Sequence, residues 1–208
     1  MKRAILTGFE PFGAYRFNPT QDLALEYDGK KIGDIEVTGM VLPCTYYGAF
    51  GALSVEIEHL SPDIVLSVGL ASRVPRIRIE AVGRNIMGSK YADADGKKPD
   101  NELIIKGGRP SYAANADSIG LASSLHEAGI PAEISVDAEG FICNSLLYLT
   151  ARDVYERGLP VSNAFFHTPW TDDYLGRIEL EPGKVTIRKQ DLRKAAGIML
   201  SGMGQRLD

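Results

Sequence analysis

The stretch Ala128-Gly129-Ile130-Pro131 separates two predicted elements of secondary structure. An amphipathic segment, residues 113–127, precedes it, and a short apolar run, residues 132–136, follows it. A glycine at the end of a helix with a proline shortly beyond it is a helix stop. The order helix, stop and strand is the repeating unit of an α/β domain.

The same alternation runs along the rest of the chain. Short apolar runs bounded by Gly, Pro or Asp predict strands, and longer amphipathic segments predict helices. The predicted strands are 4–6, 35–42, 64–68, 76–82, 132–136 and 162–166. The predicted helices are 20–26, 47–59, 113–127, 145–157 and 189–200. We expect an α/β fold: a single-domain three-layer α/β/α sandwich over residues 1–208, with a mixed, mostly parallel central sheet.

One segment, residues 83–110, interrupts this alternation. It is polar and rich in turn-forming residues, as in Gly-Ser-Lys-Tyr-Ala-Asp-Ala-Asp-Gly-Lys-Lys-Pro-Asp-Asn at residues 88–101. Elements flank it on both sides and neither half could close a domain alone. We therefore predict a long polar surface loop near a functional site.

The composition excludes several classes of protein. The 208 residues are 44% hydrophobic and 24% charged, which is typical of a globular domain and not of a disordered or fibrous chain. A formal net charge of -4 gives no reason to expect nucleic acid or an anionic membrane as a partner. No window approaches the roughly 20 apolar residues of a membrane span, and the apolar run after Arg3 is too short for a signal peptide. We expect a cytoplasmic protein with reduced thiols.

Reactive side chains are scarce, since the chain has two cysteines and three histidines. That number excludes a disulfide scaffold and a cysteine-rich zinc module. We expect neither a metal nor a cofactor.

The two cysteines occupy different positions in the pattern. A predicted strand and a turn lead into Phe141-Ile142-Cys143-Asn144, directly before the predicted helix at 145. Backbone N–H groups at a helix start favour a thiolate, which predicts a pKa of Cys143 lowered toward neutrality, and they can hold an oxyanion. A buried cysteine with no chemistry is the alternative. Cys44, at a strand end without a neighbouring charge, is expected to be a small buried hydrophobic residue.

His167 ends the apolar run Asn163-Ala164-Phe165-Phe166. It therefore stands at the carboxyl end of a predicted strand, where α/β sheets place their ligands. His59 and His126 fall in the last turns of predicted helices and are expected to be structural.

A catalytic imidazole needs a carboxylate that fixes its tautomer. Alternation along the strand at 76–82 puts Arg76, Arg78 and Glu80 on one face, which predicts either an orienting glutamate or a solvated face with ion pairs. The residues leave four candidates for the orienting carboxylate open: Glu80, Asp137, Asp172 and Asp173.

Several motifs, in this order, resemble those of the pyrrolidone-carboxylate peptidase family, also called pyroglutamyl peptidase I. They are Thr7-Gly8-Phe9-Glu10-Pro11-Phe12-Gly13 with Asn18-Pro19-Thr20, then Ser67-Val68-Gly69 ahead of Arg73 and Ile79-Glu80, then Phe141-Ile142-Cys143-Asn144, and Phe166-His167-Thr168-Pro169. The resemblance covers nearly the whole chain.

The resemblance implies a Cys-His-Glu triad that removes an N-terminal pyroglutamyl residue from peptides through a thioester. In that triad Cys143 would be the nucleophile, His167 the general base and acid, and Glu80 the orienting carboxylate. The substrate would be a peptide or small amide with an N-terminal pyroglutamate, and the protein would be a homo-oligomer, either a dimer or a tetramer.

The resemblance also implies a set of substrate-binding positions. Phe9, Phe12 and Phe141 would line the ring pocket, although plain core packing is the alternative for the first two. Asn18 would organise the N-terminal loop. Leu70 stands where the family usually has Gln, and Lys90 where it has an arginine linked to the substrate carbonyl.

Two further departures from the family pattern lie near the expected pocket. Ala138-Glu139-Gly140 replaces Ala-Gly-Thr ahead of the cysteine, and Glu139 would oppose a thiolate if it pointed inward. Ala81 replaces the arginine after the glutamate, and Asn85 matches the family asparagine that follows. These changes affect specificity more than the fold.

Three other functions are open. The chain could be a thiol hydrolase of another small amide or lactam, or a catalytically inactive binding homologue. A nucleotide-binding site at residues 8–13 is the weakest of the three alternatives, because the glycine pattern does not match a phosphate-binding loop and Pro11 lacks a backbone N–H donor.

Overall fold

The computed structural model describes residues 1–178 and 185–207. In that part of the chain the strands are β1 Lys2–Phe9, β2 Lys31–Ile32, β3 Ile35–Leu42, β4 Ile64–Leu70, β5 Ile77–Glu80, β6 Val82–Arg84, β7 Ser111–Ala113, β8 Ala132–Ser135, β9 Ser162–Thr168, β10 Trp170–Thr171 and β11 Thr186–Ile187. The α-helices are α1 Pro19–Tyr27, α2 Gly48–Leu60, α3 Ser118–Glu127, α4 Ile142–Arg157 and α5 Lys189–Gln205. A short 3-10 helix spans Asp172–Tyr174.

The central sheet positions the functional residues. Over the described residues it has seven strands in the order β2-β3-β1-β4-β9-β5-β8. β1 is parallel to both β3 and β4, β4 is parallel to β9, and β5 is parallel to β8. β2 is antiparallel to β3, and β5 is antiparallel to β9. The sheet is therefore mixed and mostly parallel, as predicted.

Helices cover both faces of this sheet. On one face, apolar residues of α1, α3 and α5 form one core with residues such as Ile77, Ile79 and Phe166. On the other, residues of α2 and α4 form a second core with residues such as Ile5, Val65 and Phe165. Alternate residues of each strand face opposite cores, because side chains along a strand point to opposite faces. The predicted three-layer α/β/α fold is confirmed.

Three predicted elements differ from the structure near the functional residues. The strand at 76–82 is two strands, because β6 leaves the central sheet to pair antiparallel with β7. The helix at 113–127 starts at Ser118, since Ser111–Ala113 forms β7. The helix predicted from 145 begins at Ile142, one turn earlier, so Cys143 lies inside its first turn.

The segment at 83–110 begins in β6 and includes a bridge between Met87 and Glu102. Met87 and Ile104 are buried against the core shared with α2 and α4. The backbone N–H of Gly88 donates to Gly140 O at 2.8 Å, which joins the segment to the turn before α4. In the described part of the chain, no helix combines the length and the apolar character needed to cross a bilayer.

Candidate active site

The antiparallel pairing of β5 with β9 brings Glu80 and His167 together. The register places Arg78 opposite His167 and Ile79 opposite Phe166. Glu80 Oε1 lies 2.7 Å from His167 Nδ1. Because an ionised carboxylate only accepts hydrogen bonds, Nδ1 is the donor in this contact, and in a neutral imidazole that tautomer leaves Nε2 as the acceptor.

Glu80 is completely buried, so the interpretation of its strand face as solvated is wrong for this residue, although it holds for Arg76, which pairs with Glu133 in an exposed position. Burial opposes its ionisation, but the hydrogen bond and charge of His167, with further contributions from Ser135 and Arg78, hold the pKa of Glu80 below its ordinary value. Glu80 is therefore a carboxylate at neutral pH. A buried carboxylate beside an imidazole is the arrangement that fixes the tautomer of a catalytic histidine.

The other three candidate carboxylates make contacts elsewhere. Asp137 pairs with Arg84 and accepts a hydrogen bond from Glu139 N. Asp173 Oδ2 pairs with Lys189 Nζ at 2.7 Å, and Asp172 Oδ1 accepts from Lys189 N at 2.9 Å.

Cys143 is the second residue of α4. The N-cap residue Phe141 has extended backbone and makes no side-chain capping hydrogen bond, and the first bond of the helix runs from Ser145 N to Phe141 O. Backbone N–H groups ahead of Ser145 in a first turn have no partner within the helix. They are therefore available to an oxygen that carries negative charge.

The pKa of Cys143 does not follow the sequence-based prediction. Burial of the sulfur is the largest cause, and the neighbouring Cys44 and the charges of Glu80 and Glu139 add to it; together they raise the pKa of Cys143 well above its ordinary value. The expected lowering toward neutrality is wrong, because these influences outweigh the helix terminus. The thiol is the resting form, and it needs a base in order to react.

The two cysteines are both free, but they differ in access. Cys143 is partly exposed, whereas Cys44 is buried, as predicted. Burial, followed by the charges of Glu10 and Asp93, raises the pKa of Cys44 to about 12. Cys143 is therefore the more accessible thiol.

Gly69, at the end of β4, leaves the space in which the thiol and the imidazole meet. A Cβ at this position would lie 2.8 Å from Cys143 Sγ, 2.9 Å from His167 Cδ2 and 3.0 Å from Phe165 Cζ. Real Cβ atoms essentially never make contacts below 3.0 Å. Any larger residue would displace one of these groups.

Aromatic rings cluster around Phe141, two residues before the cysteine. The Phe141 ring is 6.2 Å from Phe12 and 5.7 Å from Tyr46 between centroids. Phe12 and Phe141 are partly buried, whereas Phe9 and Tyr46 belong to the core. The Tyr46 hydroxyl is buried and makes no hydrogen bond to the described residues.

Asn18 fixes the loop after β1 to the start of α1. Its Nδ2 donates to Glu10 O at 3.1 Å, and its Oδ1 accepts from Thr20 N at 3.1 Å and from Thr20 Oγ1 at 2.9 Å. The side chain is buried, so these contacts constrain the loop that carries Phe12.

Leu70 and Lys90 lie outside the helix and the two strands that carry Cys143, Glu80 and His167. Leu70 ends β4 opposite Thr168. Lys90 is exposed over the Tyr91 ring at 5.0 Å, and lines an open cleft of about 480 Å³ together with residues that include Lys98 and Asn101.

Sequence reasoning missed two residues of this site. Arg78 Nε donates to Glu80 Oε1 at 2.7 Å, and alternation had placed both side chains on one face without indicating that they were paired. Gly69 was noted only as part of a motif, and nothing local indicates that it faces the cysteine. Among residues 1–178 and 185–207, no group of three or more His, Cys, Asp or Glu side chains is placed to hold a metal ion.

Comparison with known proteins gives a consistent result. The family model for pyroglutamyl peptidase matches residues 2–188. The pyrrolidone-carboxylate peptidase of Pyrococcus furiosus is 36% identical over 184 residues, which cover 86% of this chain and 88% of that protein. The pyrrolidone-carboxylate peptidase of Chromobacterium violaceum is 32% identical, over 92% of this chain and 87% of that protein.

A solved structure has the same fold. The pyrrolidone carboxyl peptidase of Thermococcus litoralis superposes with a TM-score of 0.93 at 32% sequence identity, covering 100% of this chain and 95% of that chain. The match of the family model over most of the chain and the identity to full-length relatives lead to one conclusion: the chain belongs to the pyroglutamyl peptidase family.

Proposed function

We propose that this protein is a cysteine peptidase that hydrolyses the amide bond after an N-terminal pyroglutamyl residue, with Cys143, His167 and Glu80 as its catalytic residues. The observation that carries the proposal is the 2.7 Å contact between Glu80 Oε1 and His167 Nδ1, together with the approach of both Cys143 Sγ and His167 Cδ2 to the open space at Gly69.

Acylation starts from the neutral thiol. His167 Nε2 takes the thiol proton while Cys143 Sγ attacks the amide carbon, and a C–S bond forms. Negative charge then develops on the amide oxygen, and N–H groups of the first turn of α4 stabilise it. Glu80 stabilises the imidazolium formed in this step.

The imidazolium then gives its proton to the departing amine, the C–N bond breaks, and a pyroglutamyl thioester remains on Cys143. In the second half of the reaction His167 takes a proton from water as the water oxygen attacks the thioester carbon. Breakdown of that intermediate releases pyroglutamic acid and returns the proton to the thiol.

The aromatic side chains around Phe141 support this choice of substrate. A pyroglutamyl ring is small and uncharged, with one lactam N–H and one carbonyl, so it suits aromatic walls with few polar partners. Phe12 and Phe141 supply partly buried aromatic surface beside the cysteine. We assign Phe9 to the floor of this pocket and Asn18 to the support of its loop.

Leu70 and Lys90 have secondary roles in this proposal. Leu70 offers only its backbone to a polar substrate group, and Lys90 offers a charge at the edge of the site. Lysine keeps the charge of an arginine without its planar pair of donors, so Lys90 binds a carbonyl less specifically.

Hydrolysis of a chromogenic pyroglutamyl amide tests the proposal. The wild-type protein should release the chromophore, and Cys143→Ser should reduce the rate at least about 100-fold, because an alcohol is a poorer nucleophile without a stronger base. Cys44→Ser is the matched control and should keep most of the activity.

Two outcomes would contradict the proposal. One is a folded, reduced wild-type protein with no rate above buffer, as expected of an inactive binding homologue. The other is hydrolysis of the corresponding chromogenic acetyl and prolyl amides at the same rate as the pyroglutamyl amide, which would indicate a thiol hydrolase of another small amide.

We also propose that the protein acts in the cytoplasm as a homo-oligomer. Two free cysteines, one of them partly exposed, favour a reducing compartment. The oligomer, either a dimer or a tetramer, rests on the family resemblance. Sedimentation analysis under reducing conditions tests it, and a monomer at micromolar concentration would contradict it.

A further inference from the structure

Glu80 Oε1 has two donors. Arg78 Nε donates to it at 2.7 Å, and His167 Nδ1 lies at the same distance of 2.7 Å from it. Glu80 Oε2, which is also buried, has no hydrogen-bond partner among the described residues. The guanidinium and the imidazole therefore share one carboxylate oxygen.

The sheet fixes this arrangement. Arg78 and Glu80 are two residues apart on β5, so their side chains leave the same face of the strand. β9 places His167 opposite Arg78 in the antiparallel register. The Arg78 side chain is 17% exposed, whereas that of Glu80 is not exposed at all.

We propose that Arg78 is a positioning residue that acts through Glu80: it holds the carboxylate against His167 Nδ1 and offsets part of its negative charge, which limits how strongly the carboxylate favours an imidazolium over the base that takes the thiol proton. This inference rests on the proposed function and concerns a residue outside the triad.

The physical reason is the balance of charge around the imidazole. A carboxylate with no other partner strongly stabilises an imidazolium, and an arginine beside that carboxylate reduces this stabilisation. Among the described residues, the titratable and charged groups around the site are Arg78, Glu80 and Cys143, with Glu133 of β8 opposite Arg78 in the register, and with Cys44 and Glu139 acting on the thiol. Arg78 is the cation in this group apart from the imidazolium itself.

A neutral imidazole matters more here than in a site with a stable thiolate. Burial and the charges of Glu80 and Glu139 disfavour the thiolate of Cys143. Attack therefore requires that His167 be free to take a proton. A protonated histidine at neutral pH would stop the reaction at this step.

The pH profile of kcat/KM for the chromogenic amide tests the proposal. Removal of a positive charge makes every nearby protonation easier, so Arg78→Gln should move the acid limb to higher pH by about 0.5–1 unit. Arg78→Lys, which keeps the charge, should move it by less than half as much.

Arg76→Gln is the matched control. Arg76 precedes β5 on the same face, but its side chain is 44% exposed and pairs with Glu133 at 3.4 Å. Loss of the Arg76 charge should leave the pH profile of kcat/KM unchanged. An equal shift in Arg76→Gln, or an unshifted profile in a folded Arg78→Gln protein, would overturn the proposal.

A double variant covers the case in which Arg78→Gln alone does not fold. Arg78→Gln combined with Glu80→Gln removes both charges and leaves no unpaired one. If Arg78 acts through Glu80, the kcat/KM of the double variant should lie within about twofold of that of Glu80→Gln alone. A further loss of tenfold or more would show an independent role and reject the proposal.

A second readout separates this proposal from the proposed function. The rate at which iodoacetamide alkylates Cys143, followed against pH, reports the thiol and imidazole without any peptide substrate. The alkylation profile should shift in Arg78→Gln and not in Arg76→Gln, even if the wild-type protein hydrolyses no pyroglutamyl amide. An alkylation profile that Arg78→Gln leaves unchanged would refute the role of Arg78 alone.

Discussion

Glu80 Oε1 lies 2.7 Å from His167 Nδ1, although 87 positions separate the two residues in the chain. The contact exists because β5 runs antiparallel to β9 in an otherwise mostly parallel neighbourhood. A parallel β5 would point its carboxyl end, and Glu80 with it, in the other direction along β9.

Replacement of this carboxylate should therefore impair catalysis. Glu80→Gln keeps an acceptor for Nδ1 but loses the charge that stabilises the imidazolium, so kcat should fall at least about tenfold with a smaller change in KM. Asp173→Asn is the control and should retain activity. A nearly wild-type Glu80→Gln protein would transfer the orienting role to an aspartate.

The same residue should affect stability in acid. The pKa of Glu80 is held below its ordinary value, so its carboxylate stabilises the folded protein at neutral pH. That contribution is lost as the pH falls through the lowered value, below the ordinary pKa of about 4.3. The Tm of Glu80→Gln should therefore decline less steeply in acid than that of the wild type. Parallel melting curves from pH 6 to pH 3 would contradict this expectation.

The two cysteines should differ in their reaction with iodoacetamide. The raised pKa of Cys143 predicts an alkylation rate that is slow at neutral pH and grows with pH, because only the thiolate reacts. Cys44 is buried and has a pKa of about 12, so it should be labelled only in denaturant. Peptide mass mapping of the labelled protein measures both rates. Equal labelling of the two cysteines in the native protein would contradict the difference in access.

Gly69→Ala should reduce activity more than stability. The new Cβ would lie 2.8 Å from Cys143 Sγ and 2.9 Å from His167 Cδ2, so one of these groups must move. A displacement of even part of an ångström should lower kcat by about 10- to 100-fold. Overpacking should reduce the free energy of unfolding by about 1–3 kcal/mol.

Gly51→Ala is the control for this prediction. Gly51 lies in α2 with open space around its Cβ position, so alanine there should leave activity unchanged and raise the free energy of unfolding by about 0.5–1 kcal/mol. Equal losses of kcat in the two variants would show that the effect does not come from crowding at the thiol.

Glu139→Gly should increase both stability and thiol reactivity. Glu139 has a φ of 63°, in the left-handed region, where glycine is favoured and where a non-glycine residue costs on the order of 1–3 kcal/mol. Its charge also raises the pKa of Cys143.

Glu139→Gln separates the two effects, because it removes the charge and keeps the strain. Alkylation at pH 7 should speed up in both variants, and Tm should rise only in Glu139→Gly; no change in alkylation would exclude an influence of this charge.

The family resemblance implies a glycine at the position of Glu139. The left-handed φ of Glu139 is the backbone conformation that favours glycine, and this chain adopts it with a glutamate. The following residue, Gly140, lies against the segment at 83–110, and a Cβ there would lie 2.5 Å from Gly88 O. In the turn before Cys143, the glycine therefore stands at Gly140, where the backbone of the segment at 83–110 leaves no room for a Cβ.

The sequence by itself determined the fold class and the two reactive positions. Apolar runs and amphipathic segments are local patterns, and they predict strands and helices wherever the chain later places them. Cys143 at a helix start and His167 at a strand end follow from the same local patterns, and the structure has both there.

Only the tertiary structure decided which groups surround those two residues. The choice of Glu80 over Asp137, Asp172 or Asp173 as the partner of His167 depends on the order and direction of strands, which no local pattern specifies. The raised pKa of Cys143 was also unpredictable, because it sums burial and charges contributed by distant segments. The pairing of Arg78 with Glu80 was unpredictable for the same reason. Alternation along the strand places the two side chains on one face. Only the packing of the sheet decides whether that face meets solvent or a buried histidine.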